Sequence, residues 1–505
     1  MGAARQGEGD GDVSRPLSAP ELARFCEAVG AEAARVARVG AAAEALFAQT
    51  PHLHGLTKTM RPLLGVAAAV RQAARRGRLR GAMRACLPAL TPFERRLALG
   101  AAGEPAAAQD GGNGRAAAER EAARRMAALL ALAEAATLSG AQDATFAAAL
   151  DDGRELELLV TGGGAVRESV AAVKAAAPVW NAAMARPLRT AALHAGKTLP
   201  SRMAPEATLA ALARRTLQTH WEAFAARLYG LGCRDDIEFV HELRVALRRL
   251  RAALRVFKAA IDGLARALLG ELKRLADALG HVRDADVFLA FLRRRAAEAP
   301  EEQRPFLRGL ELAERRKRGR FLRTLRDTFE SAEFAAFRER FDPVLTGRTA
   351  AGGLCALAKG EEPAAAHAPK ALAKRLRSAA RLGRGLARAS AARQHALRIA
   401  CKKLRYTAEF FAALYPHGLA AVIEPMALMQ DALGDVHDAD VYRERVIRYH
   451  TYRKAEAHEP ATARAVDALL EFLEAQRADA LGRAVDVWRS FTTGKKARKA
   501  IKAIL

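Results

Sequence analysis

From residue 206 onward, apolar residues recur every three or four positions, the spacing of helices that bury one face. The pattern predicts helices over 206–229, 238–260, 264–296 and 301–329, with Gly280 a weak point in the third. A Gly- and Ala-rich linker, TGRTAAGGLCALAKGEEPAAAHAP, covers 346–369, and helical patterning then resumes to the C-terminus. Before Pro200–Pro205 the pattern is less regular. Residues 1–20 carry no apolar periodicity and predict a flexible tail. Ala-rich helices are expected over Glu21–Ala48, Gly65–Arg80 and Arg115–Ala136, with a linker at 101–114. Around the Asp151-Asp152-Gly153 turn signal, the alternation in ELELLV predicts two short strands. The expected architecture is an Ala-rich N-terminal domain over 21–200, mostly helical with short strands, followed by an all-α domain over 201–505.

The all-α part contains an internal repeat. His241-Glu-Leu-Arg-Val-Ala-Leu-Arg-Arg-Leu-Arg251 returns as His395-Ala-Leu-Arg-Ile-Ala-Cys-Lys-Lys-Leu-Arg405, 154 residues later. The same shift carries Leu279-Gly280-His-Val-Arg283-Asp284-Ala-Asp286 onto Leu433-Gly434-Asp-Val-His437-Asp438-Ala-Asp440, and Phe257 onto Phe411. Two motifs sharing one offset mark duplicated helical units, 205–345 and 370–500.

On the first helix of this repeat, Leu243, Leu247, Leu250, Leu254 and Phe257 form a core stripe. His241, Arg244, Arg248, Arg251 and Arg255 form a second stripe about 120° away, spanning roughly 21 Å. In the second copy the core positions are Leu397, Cys401, Leu404, Ala408 and Phe411. Its polar stripe is His395, Arg398, Lys402 and Arg405, with Glu409 replacing Arg255. Stacked like charges repel by a few tenths of a kcal/mol per exposed pair, so such a stripe calls for anions beside it. Asp284, Asp286, Asp438 and Asp440 are one source, and a bound polyanion is the other.

Charge favours the polyanion. The formal net charge is +26, but residues 1–200 hold 25 basic against 19 acidic residues, net +6. Residues 201–505 hold 57 against 37, net +20. Aromatics are only 6%, and single-strand nucleic-acid binders interleave basic with stacking aromatic residues. Here Tyr406 is the one nearby aromatic expected to be accessible. No apolar run is long enough for a membrane span, and the N-terminus lacks the build of a secretory signal. The odd count of five scattered cysteines, Cys26, Cys86, Cys233, Cys355 and Cys401, fits buried thiols in a reducing cytoplasm better than disulfides.

Other chemistry is sparse. His241-Glu242 opens no zinc motif, because Val245 stands at the second His position. His241 and His395 are candidates for metal ligation, for hydrogen bonds to carbonyls, or, the favoured reading, for phosphate contact. The Asp pairs suit salt bridges or helix caps better than a divalent cation. The run Glu314-Arg-Arg-Lys-Arg-Gly-Arg320 reads as a nuclear-import patch, a solvated face or a further wall of the site. No nucleotide fingerprint, catalytic triad or clustered metal ligands stand out, so no cofactor, metal or enzymatic activity is expected.

These motifs resemble the CHAD family, the conserved histidine α-helical domain, whose hallmark is an HxxRxxxRRxR-type helix followed by an LGxxRDxD-type helix, usually in two copies. The first copy matches with His241, Arg244, Arg248, Arg249 and Arg251, then Leu279, Gly280, Arg283, Asp284 and Asp286. The second matches with His395, Arg398, Lys402, Lys403 and Arg405, then Leu433, Gly434, Asp438 and Asp440, with His437 in the place of Arg283. The resemblance implies two four-helix bundles related by a pseudo-twofold, with the basic helices facing one groove. It also implies binding of inorganic polyphosphate and association with polyphosphate granules and their proteins in a bacterial cytoplasm. The polyphosphate-binding residues it points to are His241, Arg244, Arg248, Arg249, Arg251, Arg255, Arg283, His395, Arg398, Lys402, Lys403 and Arg405. Family members are often fused to a CYTH domain, a β-tunnel that handles triphosphates. The ExExK strand of that tunnel is missing here, and ELELL at 155–159 is at most a remnant of a degenerate CYTH-like region. Nucleic-acid backbone binding is the second functional reading, and a metal-dependent poly- or triphosphatase the third.

Overall fold

The computed structural model describes residues 18–104, 113–137, 144–151, 153–162, 166–193, 207–232, 237–346, 362–415, 419–452 and 460–495, with 499 and 501. Residues 1–17 of the tail expected over 1–20, most of the 101–114 and 346–369 linkers, the Pro200–Pro205 boundary, Cys233 and Cys355 lie outside these residues, while Ser18–Pro20 already cap and begin the first helix. The chain forms two compact units, one of Met1–Pro200 with Gln218–Ala246 and one of Ser201–Leu217 with Leu247–Leu505.

The first unit opens with helices α1 (Ala19–Val29), α2 (Ala33–Gln49), α3 (Pro51–His54), α4 (Leu63–Arg71), α5 (Leu79–Cys86), α6 (Pro92–Ala101) and α7 (Asn113–Thr137). The single helix expected over 21–48 is two, because Gly30 takes the left-handed φ of 70° and ends α1. The helix expected over 65–80 also divides. After α4 the Arg75 N–H bonds the Val29 carbonyl at 3.0 Å instead of continuing a helix. Strands β1 (Thr145–Asp151) and β2 (Leu156–Thr161) pair antiparallel, as the alternation predicts. Helix α8 (Val166–Met184) then returns the chain to β3 (Leu188–Ala192), parallel to β2 and unanticipated. Three strands make an open sheet, and among the described residues no β-tunnel forms. At the hairpin, the Asp151 carboxylate accepts the Gly153 N–H at 2.9 Å. Gly153 has φ 89°, and a Cβ there would lie 2.3 Å from Gln218 Oε1, so the turn requires glycine.

The division differs from one at residue 200 for clear reasons. Gln218 donates to the Gly153 carbonyl at 2.8 Å, and Arg186 pairs with Glu222. Arg125 donates to the Ala226 carbonyl at 2.6 Å, and Phe239 belongs to the core built by α1–α8.

Helices α9 (Leu209–Ala225) and α10 (Glu238–Val256) each run from one unit into the other. The second unit continues with α11 (Asp262–Glu298), α12 (Arg304–Glu330) and α13 (Ala332–Thr346). The second repeat supplies α14 (Ala364–Gly383), α15 (Ala391–Phe411), α16 (Ala420–Tyr452) and α17 (Pro460–Thr493). The 3₁₀ turns after α10 and α15, Lys258–Ala260 and Ala412–Leu414, repeat at the same 154-residue shift. Three expectations need correction. Helix α11 runs unbroken through Gly280, because buried Leu279 and Val282 around it outweigh a glycine's helical penalty of about 1 kcal/mol. Residues 364–369 are the first turns of α14, with Pro369 inside the helix, and not linker. Helix α13 extends the first repeat beyond the helix expected over 301–329. Its rings Phe334, Phe337 and Phe341 stack in sequence at 6.0 and 5.0 Å, and Phe329 at the end of α12 meets Phe334 at 4.7 Å.

Equivalent positions of the two repeats touch each other, as residues beside a twofold axis must. Phe257 packs against Phe411 with centroids 5.7 Å apart, and Phe288 against Tyr442 at 4.7 Å. At the starts of α9 and α14, Thr208 and Pro363 form an antiparallel bridge. Around Phe288, one core joins α11 and α12 of the first repeat to α16 and α17 of the second.

Candidate functional site

The basic helices are oriented by their apolar stripes. Leu243, Leu247, Leu250, Leu254 and Phe257 on α10 are all fully buried, and so are Leu397, Cys401, Leu404, Ala408 and Phe411 on α15. Burial raises the Cys401 thiol to about 12, so it is an inert core group. With the core face fixed, the second stripe is held out of the core. His241, Arg244, Arg248, Arg249 and Arg251 are half-buried and Arg255 is exposed. On α15, Arg398, Lys402 and Arg405 are half-buried, while His395 and Lys403 are exposed. His241 and Arg244 lie on the first turns of α10, in the part grouped with the first unit.

Within the second unit the structure joins the two stripes in their middle. Arg248 Nε donates to the Tyr406 hydroxyl at 2.7 Å, and the Arg249 guanidinium lies 5.8 Å from the Tyr406 ring centre. Glu409 pairs with Arg249 at 3.1 Å and with Arg405 Nε at 2.7 Å. The one acid on the α15 stripe thus links both helices. Tyr406 is only 4% exposed, which corrects the expectation of an accessible ring.

Toward the start of α15, the rings of His395 and His437 are 4.9 Å apart. A Cβ at Gly434 would meet Arg398 Nη2 at 3.9 Å, so the Leu-Gly motif of α16 lies directly under this arginine. Burial pushes the His437 imidazole below its ordinary range, and the Arg398 and His395 charges push it further. Asp440 and Asp284 oppose this, and Asp284 comes from the other repeat. Arg283 is half-buried on α11 beside exposed Asp284.

Near the end of α10, burial and then the Arg255 charge depress both Arg251 and Arg375 below the usual arginine range, with Asp277 countering at Arg251. Arg251 Nε is buried without a hydrogen-bond partner. Arg375, on α14, was not singled out from the sequence, because its basic neighbours Lys374 and Arg377 blur any single stripe. With Ser378 and Lys403 it lines a cavity of about 250 Å³ between α14 and α15, floored by Ile399 and Ala400.

The Asp motif engages arginines. Asp286 pairs with Arg318 of α12, and Asp440 with Arg477 of α17 at 2.7 Å. Among the described residues, one trio brings metal-binding atoms together, His52, Asp151 and Glu222 in the first unit. Buried Arg186 pairs with Glu222 and lies 3.4 Å from Asp151, so both carboxylates are already engaged by one guanidinium. The trio is a half-buried ion-pair network that sequence spacing did not reveal.

The family model of the CHAD domain matches residues 208–447. This segment is a CHAD domain. All twelve candidate basic residues fall inside it. No curated protein matches the chain. Among solved structures, the chain is similar to the CHAD domain from the plant Ricinus communis, at 23% identity and a TM-score of 0.46, over 57% of this chain and 94% of that one. It is also similar to PptA from Streptomyces chartreusis, at 19% identity and a TM-score of 0.42, over 55% of this chain and 99% of that one. The family match ends within α16, so the CHAD segment shares its Phe288 core with α17 beyond it.

Proposed function

We propose that this protein binds inorganic polyphosphate without hydrolysing it, along the basic stripes of α10 and α15, and that binding directs it to polyphosphate granules in the cytoplasm. The observation that carries this reading is the pair of stripes at matching register on the two repeats, coupled through Tyr406 and Glu409. CHAD domains are associated with polyphosphate binding, and a thin chain with a charge on every unit suits a narrow file of guanidinium and ammonium groups. Buried Arg251 Nε, short of a partner, would gain a phosphate oxygen. His241, Arg244, Arg248, Arg249, Arg251, Arg255, Arg283, His395, Arg398, Lys402, Lys403 and Arg405 are the proposed contacts. Glu409 makes them unequal, because Arg249 and Arg405 already share it.

The aromatic arrangement favours polyphosphate over single-stranded nucleic acid, since Tyr406, Phe257 and Phe411 are buried and offer bases no platform. The deciding experiment replaces Arg244, Arg248, Arg398 and Lys402 together with Ala and measures binding of long-chain polyphosphate in rising salt. The wild type should bind with a steep salt dependence from counterion release, and the variant should lose binding while keeping its helical circular dichroism. Unchanged affinity would sink the assignment. Duplex DNA displacing polyphosphate at equal phosphate concentration would favour the nucleic-acid reading instead.

A further inference from the structure

Within the basic run Glu314–Arg320, Arg316 and Arg320 are exposed, while Glu314, Arg315, Lys317 and Arg318 form ion pairs. Glu314 is buried and pairs with Arg445 at 3.0 Å and Lys317 at 3.5 Å. Arg315 pairs with Glu311 at 2.9 Å. Arg318 donates through Nε to Asp286, whose side chain is 1% exposed. The second repeat builds the same pair from different sequence. Arg477 donates through Nε to Asp440 at 2.7 Å and through Nη2 to Gln394 at 3.1 Å. Asp286 and Asp440 occupy one repeat position, yet Arg318 and Arg477 are 159 residues apart and not 154. The register slips by five residues between the third and fourth helices, and an arginine still returns to the same carboxylate. Recurrence across a slipped register points to a requirement of the fold or of the site.

Position favours the site. Gln394 adjoins His395 on α15, and the charges of Asp440 and Asp284 both act on His437. Arg477 therefore stands at the His395–His437–Arg398 end of the basic stripes, and Arg318 is held on Asp286, two residues along α11 from Asp284. Each is held through Nε and is 20% exposed, and among the described residues Arg477 Nη1 and both Nη groups of Arg318 have no protein partner. A guanidinium anchored this way has already lost its rotamer freedom, so a phosphate oxygen meets a preorganised donor.

We propose that Arg318 and Arg477 are phosphate-binding residues that complete this end of the site, and that Asp286 and Asp440 are the positioning residues that hold them. This rests on the polyphosphate reading above. The test uses full-length protein carrying Arg318→Gln, Arg477→Gln or both, with long-chain polyphosphate titrated at several salt concentrations and melting temperature recorded with and without it. Each substitution should weaken binding about tenfold. The double variant should lower the slope of log affinity against log salt by roughly 1.4, from two lost contacts on a single-stranded polyanion. Arg318→Lys and Arg477→Lys keep a partner for each Asp and lose the planar fork, so they should fold normally and bind with intermediate affinity. A double variant with lowered melting temperature but wild-type affinity and slope would make both arginines purely structural and overturn the proposal. Wild-type protein that fails to bind polyphosphate overturns the underlying reading as well, which separates the two failures.

Discussion

Glu409 stands where the repeat would place another arginine, and its position changes what the neighbouring charges can do. By accepting from Arg405 and pairing with Arg249 it neutralises part of the stripe in its middle, where Arg248 is also engaged by Tyr406. Arg251, Arg255 and Arg375 lie on one side of this neutralised stretch and His437 on the other. His437 carries a pH prediction. In the unliganded protein, burial and neighbouring cations hold it below the ordinary imidazole value. Bound phosphates would favour the imidazolium and raise it, so binding takes up a proton and affinity increases as pH falls through the range between the two values. Titrations across pH 5–8 should show this rise, and His437→Gln should flatten it. Little of this was legible in the sequence. Glu409 was visible as an exception, but its partner Arg249 lies 160 residues away, and Tyr406 looked accessible because only packing reveals its burial.

The helices α10 and α15 are the most predictable elements, because one periodicity encodes both their core face and their charged face. Leu250→Ala separates the two. Removing a fully buried leucine should cost about 2–5 kcal/mol of stability while leaving every charged group of the stripe in place. Thermal or denaturant unfolding should register that loss, and polyphosphate affinity measured well below the melting temperature should stay within a few-fold of wild type. Other elements were less legible for identifiable reasons. Gly280 and Pro369 are breaking signals that tertiary packing overrides. Gly30 is a breaking signal that does end its helix, because a left-handed residue there lets α1 and α2 close on a common core. In α13, the spacing of Phe334, Phe337 and Phe341 was a usable helical signal. Strand β3 gave almost none, since Leu188–Ala192 is short and its half-buried side chains barely alternate.

For the whole molecule, the unexpected feature is that Gln218–Ala246, inside the CHAD match, packs with the N-terminal unit. A fragment beginning at residue 201 would leave fully buried Phe239 without its core, and Glu222 and Gln218 without Arg186 and Gly153. Such a fragment should be markedly less stable and more prone to aggregate than the full chain, with weakened near-UV circular dichroism and earlier melting as the readouts. The sequence by itself determined what is periodic or repeated along one dimension: the helices, the duplication, the two basic stripes and the net +20 of the second part. Periodicity acts over a few residues, and a repeat shows wherever two copies share an offset. Only the tertiary structure decided which distant groups meet. The pairing of Asp286 with Arg318 and of Asp440 with Arg477, the Asp284 charge acting on His437 and the Arg255 charge on Arg375, and residues 218–246 joining the first unit all follow from how helices pack. Those contacts depend on shape and burial between segments far apart in the chain, and no local pattern encodes them.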